Sequence, residues 1–250
     1  MNAITIPENE FVLLGGSSRG YAKKARIGDT WYKVSAGAFN AQAEVVASRL
    51  AAYTNLSSFA SYEMCVVNGE YATASKDYIC GRRYETLKGL HARVTGTPIE
   101  SVAQHLSGCD LLQYTRKLIL AELGYDMIPE VSMLLQFDAL VLNEDRHFNN
   151  ILFVGGNGKW ELAPAFDFDC SLFSCVENLD NLKRYRQPAL PYCGTHKEQL
   201  ELMYSVSGVR LELKAFNVEK IIEGVWEEKH QIGKREITEY LKGLENYGAV

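Results

Sequence analysis

Short apolar runs broken by turn residues fill the first third of the chain. Phe11 to Leu14 and Ala22 to Ile27 read as strands on either side of a turn made of Gly15, Gly16, Ser17, Ser18, Arg19 and Gly20. Gly28-Asp29 then leads into a third strand, Thr30 to Ser35. Next the period changes: Ala43, Val46, Ala47 and Leu50 have the spacing of an amphipathic helix over Ala41 to Tyr53, with Asn40 placed to cap it. Tyr62 to Val67 and Glu70 to Tyr78 flank Asn68-Gly69, the strongest short hairpin signal. The order is strand, glycine turn, strand, strand, helix, strand, strand.

From about Gly81 the spacing becomes helical. Ile99 to Leu106 and Leu111 to Leu123 carry apolar residues at intervals of three and four, and Val131 to Leu142 is apolar enough to be a core helix. A second hairpin is predicted from Ile151 to Val154 and Trp160 to Ala163 around Gly155, Gly156, Asn157 and Gly158. In the tail, Lys197 to Tyr204, Asn217 to Glu228 and Lys234 to Asn246 read as amphipathic helices whose Leu200, Leu202, Met203, Ile221, Ile222 and Trp226 face the core. Residues 174 to 196 are the least periodic; their Lys183, Arg184 and Arg186 read as a solvated loop, with a substrate or phosphate role as the rival. The pattern predicts an α+β protein with a β-rich lobe over residues 1 to 80 and a helical lobe over 81 to 250.

The candidate chemistry lies at the end of the apolar helix. Asp145-Arg146-His147 is followed by Asn150, five positions after Asp145, and the second hairpin then leads into Pro164-Ala165-Phe166-Asp167-Phe168-Asp169. Phosphoryl transfer needs a carboxylate beside the attacking hydroxyl and oxygen ligands that hold Mg²⁺ on the nucleotide phosphates. Asp145 supplies the first, and Asn150 and Asp167 the second, at the spacing of a protein-kinase catalytic loop and metal-binding segment. Upstream, Lys33 falls mid-strand where a lysine meets nucleotide phosphates, and Glu44 falls in the first turns of the helix, where a glutamate anchors that lysine. Lys23 and Lys24 compete for the same role. Backbone N–H groups of the Gly15, Gly16, Ser17, Ser18 turn can cover phosphate, since glycine permits close approach. His147, two residues past the proposed base, has a structural part.

These residues resemble the HipA-like serine/threonine kinases, in particular short forms without the N-terminal accessory domain. Asp145-Arg146-His147 with Asn150, Ala163-Pro164 with Phe166-Asp167, Ser171-Leu172, the Gly/Ser turn and Lys33 carry the resemblance, which spans most of residues 11 to 175. It implies a bilobal kinase-like fold, ATP with Mg²⁺, and transfer of the γ-phosphoryl group to Ser or Thr of a protein. It further implies a toxin or an effector delivered to a host cell, an antitoxin or other regulator as partner, and self-inhibition by phosphorylation of Ser17 or Ser18. Asp169 departs from the pattern, standing where glycine is usual. Two alternatives stay open: a phosphatidylinositol-type lipid kinase, and a pseudokinase that binds nucleotide or a partner without turnover.

Composition narrows this little. The 250 residues suit one two-lobed unit, and a formal net charge of −5 gives no basic face for generic nucleic-acid binding. The six cysteines, at 65, 80, 109, 170, 175 and 193, show no Cys-x-x-Cys pair and read as buried free thiols of a reducing cytoplasm. The histidines lack ligand spacing. Met1 to Glu10 lacks a basic start and apolar core, and there is no apolar run of eighteen, so a cytoplasmic protein with no membrane segment is expected.

Overall fold

A computed structural model describes residues 1–13, 22–156, 159–176, 179–184 and 188–246. In chain order its strands and helices are β1 (Asn2–Ile4), β2 (Phe11–Leu13), β3 (Lys23–Ile27), β4 (Thr30–Val34), α1 (Asn40–Ala51), β5 (Tyr62–Val67), β6 (Glu70–Lys76), β7 (Arg83–Thr86) and α2 (Leu87–Thr95). They continue with α3 (Ile99–Ala103), α4 (Gly108–Leu123), α5 (Ile128–Leu140), β8 (Leu152–Gly156), β9 (Lys159–Leu162), α6 (His196–Ser207), α7 (Val218–Ile222) and α8 (Lys234–Asn246). The chain is α+β, sheet-rich at its N-terminal end and helical beyond. Gly15, Gly16, Ser17 and Ser18 lie outside the described residues, as does Arg186.

Two compact units divide the chain. One is Met1–Asp77 with Phe166–Tyr185 and Glu212–Val250; the other is Tyr78–Ala165 with Arg186–Leu211. The first unit's opening segment ends at Asp77, and two later segments return to it.

The first unit is built on a six-stranded sheet in the order β1-β5-β6-β4-β3-β2. Ile6, Ala25, Val34, Cys65, Val67 and Ala72 form its apolar cluster. The β5–β6 hairpin turns at Asn68 and Gly69 with φ of 50° and 86°, positive at both central residues as a type I′ turn requires. Asn68 has a second task. Its amide donates to Ile6 O (2.7 Å) and accepts from Ile6 N (2.9 Å), which fixes the chain leaving β1, itself parallel to β5. Helix α1 packs on β5 and β6 and is held from its other end by the returning C-terminal segment. Arg49 donates to Ile221 O (2.8 Å) and Glu223 O (2.7 Å), and Lys214 N donates to Tyr53 O (2.7 Å).

The second unit packs its helices around Leu87, Leu111, Ile119, Val131, Leu135, Phe153 and Met203, beside the three-stranded sheet β7-β8-β9. Helix α5 is buried on nearly every side, as an apolar segment of this length should be. Its polar residues must therefore find partners inside the protein. Ser132 Oγ donates to Met203 O (2.8 Å), and Gln136 donates to Val209 O (2.9 Å) while accepting from Leu211 N (3.0 Å). In the β8–β9 hairpin Gly155 faces Trp160, and a Cβ on Gly155 would come within 3.0 Å of the indole.

Several expectations change. Strand β7 and helix α2 occupy a stretch expected to be helical or irregular, and Thr86 caps α2 by accepting from Gly89 N (2.9 Å). The expected helix Asn217 to Glu228 shrinks to Val218–Ile222, because Gly224 takes a left-handed φ of 67°. Asn217 does cap it. Leu200 is 40 % exposed and so is not core, whereas Met203, Ile221, Ile222 and Trp226 are buried. Among the cysteines Cys65 and Cys170 are buried, but Cys80 and Cys109 are exposed. Among the described residues no helix is long and apolar enough to cross a membrane.

Candidate active site

The candidate residues are divided between the units: Lys33, Glu44 and Asp167 belong to the first, Asp145 and Asn150 to the second. In the first, β4 lies between β3 and β6, so Lys33 has Lys24 and Thr73 as its cross-strand neighbours. Lys33 Nζ lies 3.0 Å from Glu44 Oε1, 2.5 Å from Asp167 Oδ1 and 2.9 Å from Asp169 Oδ2. Thr73 Oγ1 holds the other Glu44 oxygen at 2.7 Å. One strand, one helix and one loop 134 residues away thus converge on a single ammonium group. Of the competing lysines, Lys23 pairs with Glu8 at the surface and Lys24 lies 3.9 Å from Asp167.

Burial opposes the charge on Lys33, but Asp167, Asp169 and Glu44 outweigh it and hold the ammonium well above the usual lysine value. Burial likewise pushes the Glu44 carboxyl up, against the pull of Lys33 and of the Thr73 hydroxyl. Glu44 is 1 % exposed, so without Lys33 it would be a costly buried charge.

The Asp167 segment is strained and tied down. Asp167 has a φ of 61°, a left-handed conformation that costs a non-glycine residue about 1–2 kcal/mol. Its N–H donates to Tyr62 Oη at 3.2 Å. Two residues on, Asp169 O accepts from Asn40 Nδ2 (2.7 Å) and from Ser174 Oγ (2.5 Å). The expectation that Asn40 caps α1 is therefore corrected: Asn40 is the first helical residue, Phe39 precedes it without a side-chain cap, and the amide serves Asp169 instead. Gly37 makes room, since a Cβ there would collide with Asn40 Oδ1 at 2.1 Å.

In the second unit, α5 ends at Leu140, Leu142 just beyond it takes a left-handed conformation, φ 56°, and the catalytic-loop motif follows. Its frame is a buried ion pair. Arg146 Nε donates to Asp138 Oδ2 (2.8 Å), Arg146 Nη2 to Asp138 Oδ1 (3.0 Å), and Arg146 Nη1 to Asn150 O (3.1 Å). Asn143 Nδ2 donates to Asp138 Oδ1 as well (2.8 Å). Within the loop His147 N donates to Asp145 O (2.8 Å) and Asn150 Nδ2 to the same oxygen (3.3 Å), so Asp145 and Asn150 share one small turn. His147 sits in that turn through its backbone.

The motif residues omitted three contributors: Asp138, Tyr62 and Thr73. Asp138 had a signal, being a carboxylate inside an apolar helix, where a charge must be paired. Tyr62 and Thr73 had none, since a tyrosine or threonine in a strand is ordinary.

The oxygen donors present suit a hard cation such as Mg²⁺, and the Asp167 and Asp169 carboxylates already converge on a positive charge, Lys33 Nζ. Among the described residues no cluster of three or more His, Cys, Asp or Glu side chains is arranged to hold a metal by itself.

The fold is kinase-like. No protein-family model and no curated protein match the chain. Among solved structures it is similar to the proinflammatory kinase CtkA of Helicobacter pylori, with 14 % identity, TM-score 0.61, and 92 % of this chain and 89 % of that one covered. It is also similar to HipA from the Shewanella oneidensis toxin–antitoxin complex of HipA, HipB and operator DNA, with 11 % identity, TM-score 0.54, and 88 % and 58 % covered. The HipA-like resemblance of the motifs therefore holds for the fold.

Proposed function

We propose that the chain is an ATP- and Mg²⁺-dependent kinase that transfers the γ-phosphoryl group to Ser or Thr of a protein. The observation that carries the reading is the convergence of Glu44 and Asp167 on Lys33, the arrangement a kinase uses to seat nucleotide phosphates. Lys33 would pair with phosphate, Glu44 would keep the ammonium extended along β4, and Asp167 with Asn150 would hold the metal. Asp145 would orient the acceptor hydroxyl and take its proton. Bound ATP with Mg²⁺ would supply the transferable group and neutralise charge that develops on it. Support for a toxin or effector with a dedicated regulator comes from the two neighbours, a proinflammatory kinase and a toxin solved with HipB.

The test is incubation with γ-labelled ATP and cell lysate, followed by identification of labelled proteins. Asp145→Asn is expected to bind ATP as the unaltered protein does and to lose transfer by about 10²–10⁴-fold. Undiminished transfer by that variant would remove Asp145 from the proposed role. A pseudokinase is the second reading, and one observation favours it: Lys33 is already engaged by three carboxylates, one of them the unusual Asp169. Nucleotide binding without any labelled product would select it.

A further inference from the structure

Asp167 is asked to do two things that conflict. Its carboxylate must point at a cation, and its backbone must stay at a φ of 61° to point it there. A non-glycine residue keeps such a conformation only where its surroundings over-determine it. The carboxylate's bond to Lys33 is one restraint, but it is the bond that an incoming phosphate and metal would compete with. The Asn40 and Ser174 bonds act two residues downstream, on Asp169 O. Tyr62 acts on Asp167 itself.

The geometry points to Tyr62 as a positioning residue: its phenol oxygen, accepting the Asp167 N–H at 3.2 Å, fixes the left-handed turn that aims the metal-binding carboxylate. This rests on the metal role given to Asp167 above. Tyr62 is well placed to be a rigid post. It is the first residue of β5, register-paired with Ser75 of β6. Its own N–H is held by Ser48 Oγ of α1 at 3.3 Å, and its side chain is 8 % exposed. The phenol oxygen is therefore fixed by the sheet and by the helix that carries Glu44. When Asp167 exchanges Lys33 for another cation, the Tyr62 bond can persist, because it involves the backbone and not the carboxylate. A tyrosine is needed for this, since phenylalanine fills the same space without an acceptor.

The experiment compares Tyr62→Phe, which removes the oxygen alone, with Tyr62→Leu, which also removes ring packing. Three quantities are read: amide exchange of the 163–172 segment in nucleotide-free protein, the Mg²⁺ concentration at half-maximal ATP binding, and Tm. Loss of a single hydrogen bond should speed exchange at Asp167 by on the order of ten-fold. The Mg²⁺ midpoint should rise several-fold in both variants while ATP affinity without metal stays unchanged, although Tm falls further in Tyr62→Leu. Tyr62 is merely structural if the Mg²⁺ midpoint follows Tm across the pair. It has no positioning role if Tyr62→Phe leaves both exchange and midpoint as in the unaltered protein. Asp167→Asn separates the two layers: if that variant loses Mg²⁺ dependence while Tyr62→Phe keeps the midpoint of the unaltered protein, only the Tyr62 inference falls. If Asp167→Asn itself keeps Mg²⁺ dependence, the metal role falls and takes the inference with it.

Discussion

Arg146 grips Asp138 through two parallel hydrogen bonds in a place where neither side chain reaches water. The pair joins the last turn of α5 to the loop that carries Asp145. Such a bidentate pair gives direction as well as energy. Taking away one partner strands the other charge in the core, at a cost of about 3–5 kcal/mol. Asp138→Ala is accordingly expected to lower the urea midpoint sharply, and Asp138→Leu combined with Arg146→Met to recover much of that stability without recovering phosphate transfer. Equal stability of Asp138→Ala and the unaltered protein would show that the pair does not brace the loop.

Asp169 stands beside Lys33 where glycine is usual for this kind of fold. Its carboxylate lies 2.9 Å from the ammonium and would compete there with the phosphates of the proposed nucleotide. Asp169→Gly should therefore bind ATP several-fold more tightly by calorimetry, as expected when one of two like charges is taken from a shared partner. Weaker binding would instead place Asp169 among the metal ligands.

His196, in the first turn of α6, is buried, and neither ring nitrogen has a hydrogen-bond partner among the described residues. Burial lowers its pKa below the ordinary 6.5, against the opposing pull of the Asp138 charge. The unfolded chain then takes up a proton at a higher pH than the folded one. Stability from this group is complete above the ordinary histidine value and falls as the pH drops through it. His196→Leu should flatten the change in urea midpoint between about pH 7.5 and pH 5.5. An unchanged pH slope would mean that this ring titrates alike in both states.

Ser17 and Ser18 belong to the glycine turn expected to cover phosphate. A phosphoserine there would carry roughly −1.5 to −2 charge and repel the nucleotide. Intact-mass analysis after incubation with ATP, with peptide mapping, is expected to find phosphate on one of them, and Ser→Asp at both to weaken ATP binding. If no phosphate appears on either serine, self-inhibition by this route is excluded.

What could be seen in the chain beforehand divides by range. Strand and helix periods, the Asn68-Gly69 turn and the Asp145 to Asn150 spacing are local, and they emerge close to where they were expected. Strand β1 was invisible because three residues paired in parallel with a distant strand have no period of their own. The Asn217 to Glu228 helix was overextended because a single glycine stop outweighs a good apolar stripe. Asn40 shows the same limit at a functional position. An asparagine before a helix normally caps it, and only the arrival of Asp169, 129 residues later, gives its amide a different partner.

The first unit is completed by residues that a ribosome makes only after the whole of the second. Arg49 and Tyr53, at the far end of the helix that carries Glu44, wait for Lys214, Ile221 and Glu223. During synthesis the sheet can form early, yet the helix stays without its second support until the second unit has been made. Domains generally fold as units and in order of synthesis. Here that order is inverted for one of them, so a chain cut short after Asp169 would hold every proposed catalytic and metal-binding residue and lack the brace behind Glu44.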